Sequence, residues 1–150
     1  MKTVHFAAAL LALGLASCNQ SAPTLPGLPT YTANLSHLKE VPAPTVPDKY
    51  AGTGSAKVVW DGKKATVTGS YSGLTGAATM AHIHEGEAGQ TGGPVCTLKI
   101  TPDAKDATKG TLSNDGDCVL NEDKLRFGFY YVNVHTDQNK PGEIRGQLTK

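Results

Sequence analysis

The sequence of 150 residues predicts an all-β domain, a sandwich or barrel of about eight short strands. Its runs of β-branched and aromatic residues are short and are closed by glycine, asparagine or proline turn signals. The chain has 17 glycines, and after the first seventeen residues it shows no apolar repeat with the helical period of 3.6. Many short strands without a convincing amphipathic helix are typical of this fold class.

Turn residues divide the chain into these strands. Asp61-Gly62-Lys63-Lys64 predicts a hairpin, because Asp-Gly suits the turn that matches the twist of the flanking strands. Residues 41–47 contain three prolines and predict a loop or an edge strand. Residues 125–135 are apolar on both faces, which predicts a central strand. The predicted strands are residues 30–38, 54–60, 65–71, 79–84, 95–101, 110–112, 125–135 and 143–149.

The first seventeen residues have the pattern of an export signal. Lys2 supplies a weak positive start, and residues 4–15 are apolar but too short to span a membrane as a mature helix. The stretch ends in Leu-Ala-Ser-Cys, which resembles the bacterial lipobox, in which small residues precede a cysteine that is acylated. We expect residues 1–17 to be a lipoprotein signal peptide, Cys18 to carry the lipid and residues 18–29 to be a proline-rich tether. The alternative is an ordinary signal peptide with a chance cysteine.

The cysteine count favours a disulfide. If Cys18 carries lipid, Cys96 and Cys118 remain as an even pair of the three cysteines. In an exported protein such a pair predicts a disulfide, which would close a loop of about twenty residues and stabilise the fold by roughly 3 kcal/mol. Two free buried thiols or soft metal ligands are the alternatives.

Charge and motifs exclude several classes of function. Without Lys2 the chain has thirteen Lys plus Arg and thirteen Asp plus Glu, so its net charge is near zero. The sequence has no basic patch interleaved with aromatic residues, so we expect no nucleic-acid partner. It also lacks a glycine-rich phosphate loop, a Walker motif and a GxSxG elbow.

Three histidines on two predicted strands form the candidate site. His82 and His84 point to the same face of one strand, whereas Ile83 points to the other face. His135, at the end of a second strand, completes the set if the two strands are neighbours. Three imidazoles suit copper or zinc and are poor ligands for calcium or magnesium. The alternative is a structural role, because strand histidines often donate and accept within polar networks.

The motifs around these histidines resemble the CHRD domain, a module named after chordin and also found in bacterial envelope proteins. The resemblance rests on Ala-His-Ile-His at 81–84, Gly-Gly-Pro-Val at 92–95, Tyr-Val-Asn-Val-His-Thr at 131–136 and Gly-Glu-Ile-Arg-Gly-Gln-Leu at 142–148. Upstream, Leu-Ser at 35–36 with Glu-Val-Pro at 40–42 resembles the family's LSGAQEVPP, and Tyr-Ser-Gly-Leu at 71–74 resembles its FSGL.

Two features depart from the family pattern. The usual HGPA is replaced by His-Glu-Gly-Glu-Ala at 84–88, and Cys96 and Cys118 stand where ordinary strand residues are expected. The resemblance covers nearly the whole chain after the tether. It implies a CHRD domain over residues 30–150, folded as a Greek-key sandwich that is immunoglobulin-like or superoxide-dismutase-like.

A fainter resemblance concerns the order of the site residues. Copper–zinc superoxide dismutases also place a His-x-His pair on one strand, a later histidine on another and an arginine near the C-terminus. Carried over, His82, His84 and His135 would be copper ligands and Arg145 would be a catalytic side chain that steers anions. The sequence has no histidine between positions 84 and 135 to bridge two metals, so we expect a single ion.

Two functions stay open at this point. The first is a membrane-tethered lipoprotein of the cell envelope with one copper ion, in which dismutase-like activity is less favoured than metal binding alone. The second is a non-catalytic, extracytoplasmic module that binds an unidentified protein and whose histidines are structural, with residues 85–93 as the candidate recognition surface. In that second case Glu143 and Arg145 form an ion pair on one strand face, or Glu143 joins a network with the histidines.

Overall fold

The computed structural model describes residues 27–47 and 51–150, and it places eight strands and two short helices along them. A 3-10 helix spans His37–Lys39, and the α-helix α1 spans Glu122–Arg126. The predicted signal peptide and Cys18 lie outside the described residues. The strands are β1 (Thr30–Ser36), β2 (Thr53–Trp60), β3 (Ala65–Ser72), β4 (Ala78–Glu85), β5 (Pro94–Pro102), β6 (Gly110–Asn114), β7 (Tyr130–Thr136) and β8 (Ile144–Gln147).

The strands form one antiparallel sheet that closes into a barrel in the order β1-β2-β3-β6-β5-β4-β7-β8. The last strand meets the first through Ser36 opposite Arg145 and through a bridge between Thr32 and Thr149. We refer to this junction as the seam. The all-β class and the number of strands are therefore confirmed, whereas the sandwich and the Greek-key details stay predictions.

The hairpin between β2 and β3 forms where the sequence predicts it. The Oδ1 atom of Asp61 accepts hydrogen bonds from the backbone N–H groups of Lys63 and Lys64, at 2.8 and 2.7 Å. Gly62 has φ +93°, in the left-handed region that glycine adopts without strain. The proline-rich residues 41–47 belong to no strand, in agreement with the predicted loop.

The strand predicted over residues 125–135 is wrong in its first half. The Asn121 side chain accepts from the N–H of Lys124 and caps α1, which ends at Arg126. Gly128, at φ +73°, then turns the chain, and β7 begins only at Tyr130. Phe127, predicted to lie in the strand, is 70% exposed. The rest of the prediction is confirmed, because every residue of β7 is buried.

Apolar side chains that alternate along the strands fill the interior of the barrel. On β7, Val132 and Val134 are fully buried and belong to this core. Their neighbours on the strand point to the opposite face, where the candidate site lies. Cys96 and Cys118 form a disulfide with their Cα atoms 5.4 Å apart, which confirms the predicted bond between β5 and the loop after β6. Within the described residues, no helix is both long and apolar enough to span a bilayer.

Candidate metal centre

The two strands that carry the histidines are neighbours in the barrel. In the β4–β7 ladder, Ile83 pairs with Val132, and His135 lies opposite Met80. Ile83 is fully buried in the core, so His82 and His84 project from the other face of β4, as alternation predicts. A register shift between Ile83 and His84 against β5 marks an irregularity at the second histidine.

The structure brings the three imidazoles together. The Nδ1 atom of His82 lies 3.2 Å from the Nε2 atom of His135. One nitrogen from each of the three rings lies within 4.8 Å of the others. The ring centroids are 5.2 to 5.9 Å apart, so the residues predicted to form one site do share one position on the barrel.

Backbone carbonyls fix the orientation of two of the rings. The Nδ1 atom of His84 lies 2.8 Å from the carbonyl oxygen of Gly92, and that of His135 lies 2.8 Å from the carbonyl oxygen of Lys140. A carbonyl oxygen only accepts, so each Nδ1 carries the hydrogen and each Nε2 keeps its lone pair. Metal-binding histidines in proteins are usually held in this way.

The donor set fits one ion with a small adjustment. A tetrahedral ion bonded to imidazole at about 2.05 Å needs its ligand nitrogens about 3.3 Å apart, close to the 3.2 Å between His82 and His135. The three ligand nitrogens lie within 4.8 Å of one another, so the widest pair must close by up to about 1.5 Å to reach that tetrahedral spacing. The Nε2 atom of His84 is buried and has no partner among the described residues, as expected of an unused ligand atom.

Burial makes the site neutral. Desolvation lowers the pKa of all three histidines below the ordinary value. At His82 the neighbouring histidines lower the pKa further, and at His84 the charge of Arg145 does so, although the Gly92 carbonyl opposes it. At His135 the Lys140 carbonyl likewise opposes the effect of burial. Neutral imidazoles are the form that binds metal, so protons compete weakly here near neutral pH.

Arg145 lies beside the site but not at an open side of it. Its guanidinium carbon is 3.4 Å from the centroid of the Tyr131 ring, and the same ring stacks with His84 at 5.0 Å. Its Nη2 atom donates to the carbonyl oxygen of Glu87, and the residue is only 2% exposed. Arg145 therefore contacts the same tyrosine ring as His84 without contacting a histidine, and its role in anion steering stays a prediction.

Glu143 takes part in a different set of contacts from those predicted. Its carboxylate accepts from the Thr75 N–H, the Thr136 hydroxyl and the Asn139 side-chain amide, at 2.6, 2.6 and 3.1 Å. These partners hold the ends of β7 and β8 and leave Glu143 fully buried. The predicted ion pair with Arg145 and the predicted network with the histidines are therefore both wrong.

The loop between β4 and β5 is fastened to the site by its backbone. The Gly92 carbonyl accepts from His84, and the Glu87 carbonyl accepts from Arg145. The Gly86 carbonyl accepts from the side-chain amide of Gln147 at 2.7 Å. Gly92 has no room for a side chain, because a Cβ there would clash with the Glu85 carbonyl. The loop that the sequence suggested as a recognition surface is thus also a structural support of the histidines.

Two further polar residues, one on this face of β7 and one in contact with it, were missed from the sequence. Asn133 follows Tyr131 and precedes His135 at strand spacing, and this shared parity is a signal that could have found it. Its Nδ2 atom is 3.4 Å from Oε1 of Glu40. Desolvation raises the pKa of Glu40 to about 7, although the Val41 N–H, Arg145 and Asn133 oppose the shift.

Comparison with known proteins agrees with the motifs. A family model described as CHRD domain matches residues 31–148, which is most of the chain. No curated protein and no solved structure matches the chain significantly.

Proposed function

From the premise that this chain belongs to the CHRD domain family, we propose that it is a metal-binding domain of the cell envelope, anchored through lipid on Cys18. The family suggests an extracellular β-domain, and the pattern before Cys18 favours export. The metal part of the proposal assigns one ion to His82, His84 and His135.

The unpartnered Nε2 atom of His84 carries the metal assignment. A buried polar atom without a hydrogen bond is costly, and native structures rarely retain one without a function. Its ring cannot turn to use the other nitrogen without breaking the bond to Gly92, so the lone pair stays directed away from that carbonyl. The nearest groups that share its position are two more imidazoles, which suits an ion better than a structural network.

Copper is the ion that we propose. An all-nitrogen set without carboxylate or thiolate disfavours the hard cations and suits copper or zinc. At a given nitrogen site the divalent ion of copper binds more tightly than that of zinc. When bound, a copper ion would supply redox chemistry at the face of the barrel, whereas zinc would act only as a structural or stored ion there.

Dismutase-like turnover has weaker support than binding. It would need an anion to reach the ion beside Arg145, yet the guanidinium is stacked on Tyr131 and bonded to the Glu87 carbonyl. His82, which is half-buried, is the ligand nearest to solvent by exposure. A small anion would therefore approach from the side of His82, without direct help from the arginine.

A matched pair of histidine variants tests the metal centre. His82→Gln removes a ligand, and His37→Gln removes a histidine outside the cluster. After refolding with copper and removal of excess ion, we expect about one copper per chain in the wild type and in His37→Gln, and at least tenfold weaker binding in His82→Gln. Elemental analysis together with a copper titration measures both quantities. Equal copper in all three proteins, or none in any, would contradict the assignment.

A further inference from the structure

A separate cleft lies over the seam where β8 closes against β1. Its volume is about 520 Å3, which is within the range of small-molecule sites. Asn34, Arg145 and Gln147 lie along the strands at its base. The segment after β1 forms one wall and Ala88 with Gly89 forms the other. None of the three histidines lines this cleft, so it is distinct from the metal centre.

The cleft contains a buried guanidinium that is not fully hydrogen-bonded. Arg145 is 2% exposed, and its Nη1 atom has no hydrogen-bond partner among the described residues. Its other contacts hold the guanidinium in place, because Nη2 donates to Glu87 and the plane rests on Tyr131. Glu40, on the wall, is 5% exposed, and its Oε2 atom lies near the amide oxygen of Asn133, to which the protonated acid can donate. Arg145 therefore has a hydrogen-bond donor left over for an acceptor oxygen.

The charges and the walls define the chemistry of that ligand. Arg145 and Lys39 are cationic, and among the described residues Glu40 is the only carboxyl group that lines the cleft. Burial raises the pKa of Glu40 to about 7. With two cations and one carboxyl group, the cleft carries a net positive charge whether this carboxyl is protonated or not. One guanidinium nitrogen without a partner suits a single acceptor oxygen more than a bidentate phosphate. Leu38 and Val41 add apolar wall, which favours an organic anion over an inorganic one.

We propose that this cleft binds a small organic carboxylate, with one oxygen accepting from Nη1 of Arg145 and the carbon chain lying against Leu38 and Val41. The loop that forms one wall also holds His84 through Gly92. The cleft and the metal centre therefore share a support, although the proposal does not require a bound metal.

Titration of the metal-free, full-length protein with hexanoate tests the proposal, with hexanamide as the uncharged control. We expect saturable binding of hexanoate and no saturation by hexanamide, measured by calorimetry or by amide chemical shifts at the cleft. The titration extends to about 10 mM, where even a dissociation constant of 1 mM gives about 90% saturation. No saturation by that point, or equal binding of hexanamide, overturns the proposal.

Two surface variants place the binding at the cleft. Leu38 is 83% exposed at its rim and Val119 is 66% exposed outside its lining, so both tolerate a charge. Leu38→Asp should weaken hexanoate binding at least about fivefold by repulsion, whereas Val119→Asp should leave it unchanged. Arg145→Met should abolish it, provided that circular dichroism shows a folded protein. Unchanged binding in Leu38→Asp, or equal losses in both surface variants, rejects this cleft as the site.

Discussion

Replacing Glu40 with glutamine should remove a pH-dependent loss of stability. Glu40 is 5% exposed, and desolvation is the main reason why its pKa rises from 4.5 to about 7. Its Oε2 atom and the Oδ1 atom of Asn133 are both buried acceptors without partners among the described residues. Both lie close to the position that a Cβ on Gly142 would occupy. A proton on Oε2 would satisfy both oxygens, because the protonated acid can donate to the amide oxygen.

The magnitude follows from the pKa. Moving the pKa from 4.5 to about 7 corresponds to on the order of 3 kcal/mol, since one pKa unit is about 1.36 kcal/mol. Between these values the folded protein holds a proton that the unfolded chain has released. The stabilising contribution is therefore complete below pH 4.5 and is lost as the pH rises through 7.

Urea unfolding of the wild type and of Glu40→Gln, from pH 4 to about pH 8.5, measures the effect. Glutamine is neutral and has the shape of the protonated acid, so the two proteins should have similar free energies of unfolding at low pH. The variant should become more stable than the wild type by on the order of 3 kcal/mol at high pH. Titration of the histidines is common to both proteins and cancels in the difference. A difference that stays flat across this range would refute the reasoning.

Three further predictions concern the seam, the disulfide and the anchor. Gly146→Ala should lower the free energy of unfolding by about 1–3 kcal/mol, since its Cβ would lie 2.5 Å from the backbone oxygen of Asn34, and chemical denaturation measures the loss. Replacing Cys96 and Cys118 together by alanine should cost about 3 kcal/mol in the same assay, because their bond closes a loop with a sequence separation of 22; non-reducing peptide mapping that finds both thiols free would contradict the bond. Cys18→Ala should move the protein from the membrane fraction to the soluble fraction or leave it unprocessed, and mass spectrometry of an unacylated wild-type N-terminus would disprove lipidation.

Local patterns account for most of what the sequence predicts correctly. The Asp61-Gly62 turn, the parity of His82 and His84 and the buried run of β7 each depend on residues that are close in the chain. Helix α1 was missed because five residues are too few to show a helical period.

Long-range contacts account for the rest. The pairing of β3 with β6, and the seam between β1 and β8, join segments that no local pattern connects. The hydrogen bond from His84 to the Gly92 carbonyl could not be predicted either, because every residue type has a backbone carbonyl. The wrong partner for Glu143 has a similar cause. One of its hydrogen-bond partners, Thr75, lies 68 positions earlier in the chain.

The support of the site by backbone carbonyls has a consequence for how the family can diverge. The loop contacts of His84, Arg145 and Gln147 end on main-chain oxygens, which every residue type supplies. Substitution of the loop side chains therefore leaves these contacts available, provided that position 92 remains glycine. The side chains on the outer surface of the loop can therefore change, and with them the surface open to partners, while the ring of His84 keeps its orientation.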